Sequence, residues 1–220
     1  MALYPMFVEA KDRRVIVIGG GYVAAEKVRG LLNAEADITV VSPHLLPELE
    51  EHKGAGRITH VARVYRESDL DNSYEFIMVA TDDGVINAEV AAAGKRRGIW
   101  VNAADDPTNC DFILPAVVRK GKITLAASTS GASPALARRL REELEAYLTE
   151  DMPALADLLA EVRQEVRRRG IKIDSDTWQA AIDERLRVLL AQRRYDGARE
   201  HLLDGLGIKL EPVTVGGANE

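Results

Sequence analysis

The stretch that most constrains this chain is Arg14-Val15-Ile16-Val17-Ile18 running straight into Gly19-Gly20-Gly21. A short β-branched run of this kind reads as a buried strand. Residues 24–32 follow with good helix formers, and Val23, Val28, Leu31 and Leu32 fall near helical spacing. Ile38-Thr39-Val40-Val41 is then a second strand, which completes a βαβ unit. Further strands are expected at 58–64, 76–80 and 100–102, with a helix over 85–97. Strands alternating with helices predict an α/β fold, a Rossmann-type doubly wound parallel sheet.

Past Pro107 the texture changes. Two strand-like runs, 112–119 and 122–127, flank the turn candidate Lys120-Gly121 and predict a β-hairpin. Ser133-Pro134 offers an N-cap followed by proline at the first helical position, opening a helix over 135–148. Helical patterns then dominate at 153–169, 175–192 and 195–206, before a frayed tail at 213–220. The expected organisation is a dinucleotide-binding domain over 1–112, a hairpin and helix region over 113–150, a small helical domain over 151–212, and the tail.

Composition removes several function classes. With 29 Lys and Arg against 35 Asp and Glu, the net charge is −6, and no dense basic block supplies the footprint of phosphate-backbone binding; nucleic acid is not an expected partner. The single cysteine, Cys110, permits neither an intrachain disulfide nor a cysteine-rich zinc site and fits a reducing compartment, so a cytoplasmic location is expected. The apolar start Met1–Phe7 runs into Glu9, Lys11, Asp12 and two arginines, unlike a signal peptide, and no run approaches a membrane span. His52, His60 and His201 are scattered, and with Cys110 they show no metal-ligand spacing, so no resident metal is expected.

The turn Gly19-Gly20-Gly21-Tyr22-Val23-Ala24 has the G-x-G-x-x-A form, placed between a strand and a helix as dinucleotide binding requires. Gly19 allows the tight turn, Gly21 lets a pyrophosphate approach the backbone, and Ala24 permits close packing of helix on strand. The helix N-terminus supplies amide donors and a favourable dipole. One element departs from the fingerprint: Ser42-Pro43-His44 ends the second strand where an NAD site usually has Asp or Glu for the ribose hydroxyls. Ser42 can hydrogen-bond a ribose, and no arginine stands there for a 2′-phosphate, so NAD is expected over NADP. His44 is either a cofactor contact or an exposed loop residue without a role.

Two acidic pairs fall beyond strand ends, where ligands bind in doubly wound sheets. Thr81-Asp82-Asp83 follows the fourth strand, and Asn102-Ala103-Ala104-Asp105-Asp106-Pro107 follows the fifth. Asp83 also reads as a helix N-cap, and Asp105-Asp106 as a turn before Pro107; composition does not choose between these and a catalytic carboxylate.

Taken together, these residues resemble the precorrin-2 dehydrogenase family, the NAD-dependent dehydrogenase and ferrochelatase module of siroheme synthesis. The likeness runs through Tyr4-Pro5-Met6-Phe7, Val17–Gly21, Ala80–Asp83, Val101–Asp105, Phe112–Ala116, Ser128–Pro134 and Ala137-Arg138, covering about the first 150 residues. Beyond them it is a loose likeness to the family's helical C-terminal part, and a chain ending at Glu220 is expected to lack the methyltransferase half of fused siroheme synthases. The resemblance implies NAD-dependent oxidation of precorrin-2, a tetrapyrrole, to sirohydrochlorin, in some members followed by insertion of ferrous iron. It puts the family's essential aspartate on Asp105. Thr81, Asp82 and Asn102 then join the glycine turn as cofactor-binding candidates. Ser128, Thr129, Ser130, Gly131, Ser133 and Arg138 become candidates for holding the substrate's carboxylates, with Ser133 also read as an N-cap. It further implies an intertwined homodimer made through the hairpin and helix region, which the apolar run 112–118 suits; a monomer burying that run internally is the rival reading.

Two rival readings stay open. One is a non-catalytic NAD-binding redox sensor whose C-terminal helices bind a partner; the other is an unrelated Rossmann oxidoreductase, for which no Tyr/Lys or Ser/His pair stands out.

Overall fold

The computed structural model describes residues 3–104 and 106–208. They form two compact units: residues up to Leu114 together with Ser130–Ala132, and Pro115–Thr129 together with the chain from Ser133 onward.

The first unit is built on five parallel strands, β1 (Arg14–Ile18), β2 (Asp37–Val41), β3 (Thr59–Val61), β4 (Phe76–Val79) and β5 (Trp100–Ala103), in the order β3-β2-β1-β4-β5. Helices α1 (Tyr22–Leu32), α2 (Pro47–Gly54) and α3 (Gly84–Arg97) make the crossovers. The β-branched run of β1 is central because both of its faces are covered: Val15 and Val17 pack with Ala24, Ala25 and Val28 of α1 and Leu49 of α2, while Ile16 and Ile18 pack with Val90, Ala91 and Ala93 of α3. The strand order reverses between β1 and β4, so the crevice beyond their carboxyl ends is the topological switch point where such sheets bind ligands. Two expected strands prove shorter, since 58–64 pairs only over Thr59–Val61 and 112–119 only from Ala116. Phe112 belongs instead to an edge-to-face aromatic group with Phe76, and it packs against the α1 side of the sheet.

The second unit joins the hairpin β6 (Ala116–Lys120) and β7 (Ile123–Ala127) to α4 (Pro134–Tyr147), α5 (Asp151–Arg168), α6 (Ser175–Ala181), α7 (Glu184–Ala191) and α8 (Tyr195–Gly205). Its core is Val162 and Val166 of α5 with Leu186, Leu190, Ala198, Leu202 and Leu203. The single helix expected over 175–192 is two, because Asp183 accepts from Leu186 N at 2.8 Å and starts a new helix. Tail residues 213–220 lie outside the described residues.

Candidate active site: a dinucleotide cleft at the switch point

The glycine turn is clamped between two strand ends. Gly19 N donates to Val41 O at 3.0 Å, and Ala80 N donates to Ile18 O at 2.8 Å. At Gly19, φ is 121°, and a Cβ would run into the Ala80 carbonyl, 2.7 Å from its carbon. At Gly20 a Cβ would overlap the His44 carbonyl oxygen and come within 2.7 Å of Ser42 Oγ. Gly21 is different: a Cβ there meets no atom of the described residues within 4 Å, so its bare backbone faces space that they leave open. The first two glycines are needed by the fold, and the third leaves room for a ligand.

Gly21 is the N-cap of α1 and gives no side-chain cap, and the first turn holds no acidic residue. Its leading amides therefore have no intrahelical acceptor and no carboxylate from their own first turn, which suits an anion. Helix α3 opens nearby but is closed to such a ligand, since Asp83 Oδ1 accepts from Val85 N at 2.9 Å and from Ile86 N at 3.2 Å. The capping reading of Asp83 is the one the structure bears out.

These elements line a cleft of about 650 Å³. Gly19, Gly20, Gly21, Tyr22 and Val23 form one wall, Ser42, Pro43 and His44 another, and Thr81 and Asp82 a third. Ala24 lies beneath, fully buried in the α1 packing. Ser42 is itself buried, and its hydroxyl donates to His44 O at 2.7 Å, so it shapes the loop before it meets any ribose. His60 Nε2 reaches the Ser42 carbonyl at 2.9 Å; that nitrogen carries the proton, because a carbonyl only accepts. Thr81 Oγ1 donates to Asn87 Oδ1 at 2.6 Å, and Asn87 Nδ2 donates back to Thr81 O at 2.9 Å, which fixes the loop after β4.

Among the lining residues that sequence reasoning misses are Val64, Tyr65 and Ile86. Val64 and Ile86 give the cleft apolar walls suited to a flat ring. The Tyr65 hydroxyl is buried and without a hydrogen-bond partner among the described residues, and burial, with Glu89 and Glu67 behind it, pushes it up to about 12. A buried polar atom without a partner is unfavourable until a ligand supplies one. The signal in the sequence is weak, because Val64 and Tyr65 follow an edge strand with no periodic pattern. Arg63 beside them makes a two-point ion pair with Asp69, one arm at 2.7 Å, and the Arg63 guanidinium holds that carboxyl below its usual range.

An NAD(P)-binding family model matches residues 6–116, and one for the sirohaem biosynthesis protein central region matches residues 120–147. The siroheme synthase of Thioalkalivibrio sulfidiphilus is 36% identical over 99% of this chain, and that of Tolumonas auensis 38% identical over 94%. The chain spans 45% and 44% of their respective lengths. A solved structure described as SirC, precorrin-2 dehydrogenase, aligns with a TM-score of 0.70 at 30% identity, covering 90% of this chain and 99% of that one. The chain belongs to the precorrin-2 dehydrogenase family.

In this family member the described residues of the loop after β5 are tied down by several hydrogen bonds. Ala104 N donates to Val79 O at 3.0 Å. Cys110 Sγ accepts from Ala103 N at 3.2 Å and lies 3.2 Å from Ala103 O and 3.3 Å from Asp106 O. Asp106 accepts from Thr108 Oγ1 at 2.6 Å and Asn109 Nδ2 at 2.7 Å, and these hydrogen bonds, Thr108 first, hold its carboxyl below the usual range. Asp106 thus serves the turn Pro107–Asn109 that follows it, rather than a turn before Pro107. Asp105 lies outside the described residues. Asn102, a cofactor candidate in the sequence, is not among the described residues that line the cleft; it is 6% exposed and bonded to Lys27 and Phe112.

Among the substrate candidates, Ser133 caps α4 by accepting from Leu136 N at 3.2 Å. Thr129 Oγ1 accepts from Ser133 N at 3.2 Å. Ser130 and Gly131 both take left-handed backbone, with φ of 54° and 84°. Ser128 is exposed, and so is Arg138, whose Nε donates to Glu142 Oε1 at 3.2 Å.

Proposed function

We propose that this chain catalyses the NAD-dependent dehydrogenation of precorrin-2 to sirohydrochlorin. The observation that carries the reading is the cleft at the β1/β4 switch point, with its bare Gly21 and uncapped α1, in a chain that aligns along 99% of a precorrin-2 dehydrogenase. NAD, when bound, accepts the hydride, and one proton leaves the macrocycle with it. Asp105 takes that proton as general base, on the family's essential-aspartate position and on its place just beyond β5. Asp106, spent on Thr108 and Asn109, is a spectator.

NAD is preferred over NADP, because the end of β2 offers no cation for a 2′-phosphate and Arg63 is committed to Asp69. The substrate's carboxylates are held by Ser128, Thr129, Ser130, Gly131, Ser133 and Arg138; the Ser133 oxygen accepts from the helix and leaves its proton to donate. Ferrous iron is a second substrate, entering the macrocycle as pyrrole protons leave to the same base. A homodimer belongs to this reading. It is supported by α4, which has no buried residue and leaves Leu136 50% and Tyr147 65% exposed. A cytoplasmic location is supported by the unpaired Cys110.

Incubation with precorrin-2 and NAD, with and without ferrous iron, tests the reading through the absorption spectra of the products. Sirohydrochlorin is expected with NAD alone and siroheme on adding iron. A bound NAD with no turnover would leave a cofactor-binding sensor in its place.

A further inference from the structure

Lys27 and Asn102 make a contact for which the dinucleotide reading has no use. Asn102 stands on β5 in register with Met78, on the α1 side of the sheet. Both ends of its amide are committed: Oδ1 accepts from Lys27 Nζ at 2.5 Å, and Nδ2 donates to Phe112 O at 3.0 Å and lies 3.9 Å from Cys110 Sγ. One buried side chain thereby joins α1, the strand that enters the Asp105 loop and the segment that leaves it. The loop is fastened again at Ala104 N to Val79 O and at the Cys110 thiol between Ala103 and Asp106.

We propose that Lys27, acting through Asn102, is a positioning residue for the loop that carries Asp105. The inference rests on the assignment of Asp105 as the base. The half-buried ammonium makes a charge-assisted hydrogen bond, which fixes direction as well as distance, whereas an apolar pair would fix only packing. Lys27 also stands on α1, about one and a half turns from the amides that face the cofactor. A single helix then bears on both the seat of the pyrophosphate and the described residues on either side of Asp105, Asn102 and Phe112. This matters because a misplacement of about 1 Å of reacting groups is worth roughly 10²-fold in rate.

The test compares the full-length wild type with Lys27→Met, Lys27→Arg and Asn102→Leu. Lys27→Met should bind NAD within about threefold of wild type and keep its KM for precorrin-2, while kcat falls by roughly 10²-fold. Lys27→Arg, which keeps the cation, should recover most of that loss. Amide hydrogen exchange should quicken over residues 103–111 in Lys27→Met and stay unchanged in β1 and β4. Should Lys27→Met fail to fold, Lys27→Gln replaces it with the same expectations. Wild-type kcat in a folded variant, or unchanged exchange over 103–111, would overturn the proposal. Loss of NAD binding in Asn102→Leu would overturn it too, by making Asn102 a cofactor contact. A wild type that binds NAD but leaves precorrin-2 untouched would refute the dehydrogenase reading instead, and the exchange measurement would still decide the clamp.

Discussion

Neighbouring glycines in the turn have opposite jobs, and substitution separates them. Gly20→Ala should destabilise the fold by ~1–3 kcal/mol, the range of overpacking, because its Cβ would overlap the His44 carbonyl. Gly21→Ala should leave the melting temperature unchanged yet weaken NAD binding at least tenfold, since the described residues leave that space open for a ligand. Thermal denaturation beside calorimetric NAD titration checks both. Tyr65→Phe should raise the stability of the NAD-free protein by about 1 kcal/mol, by removing a buried hydroxyl without a partner, and lower NAD affinity by a similar free energy. Urea denaturation and the same titration measure those two changes. The glycines are legible in the sequence because their chemistry is local to six consecutive residues. Tyr65 and the Lys27–Asn102 pair are not, because each depends on atoms brought together across the sheet, 75 residues apart for the pair.

Helices and strands are legible where periodicity or capping is strong. The β-branched strands announce themselves, and Ser133-Pro134 marks the start of α4. Helix α2 goes unnoticed because only Leu49 is buried and no apolar face repeats; its one sign is Pro47 at the first turn. The break between α6 and α7 hides in an unbroken helical pattern, since its cause is a side-chain cap at Asp183, which also pairs with His201 at 2.8 Å. Ion pairs between elements add a pH dependence. Asp151 on α5 accepts from Arg187 of α7 at 3.0 Å, and its carboxyl lies below the ordinary 3.8 through hydrogen bonding to Thr149 first and Arg187 second. A carboxyl more acidic in the folded state stabilises fully above its unfolded value and loses that contribution as pH falls through the folded one. Asp151→Asn should therefore be less stable than wild type at pH 7, by about 1 kcal/mol once solvent screening is included, with the gap closing below pH 3.8. Urea denaturation at pH 7 and at pH 3 measures both gaps.

For the molecule as a whole, the doubly wound sheet follows from strands alternating with helices, and its switch point fixes where a ligand must sit. The strand order itself is not legible, because nothing local distinguishes a chain that adds β3 beside β2 from one that adds it beside β1. The unburied face of α4 predicts self-association, and light scattering should return twice the monomer mass, with Leu136→Glu shifting it towards the monomer. Cleft, cofactor and loop converge on one step, hydride transfer from precorrin-2 with Asp105 as base. Stopped-flow measurement of NADH formation, on wild type, Asp105→Ala and Asp106→Ala saturated with NAD, tests it most directly. The wild type should form one NADH per sirohydrochlorin, Asp105→Ala should be at least ~10²-fold slower with NAD affinity intact, and Asp106→Ala should change little. No NADH from the wild type, or a fully active Asp105→Ala, would contradict it.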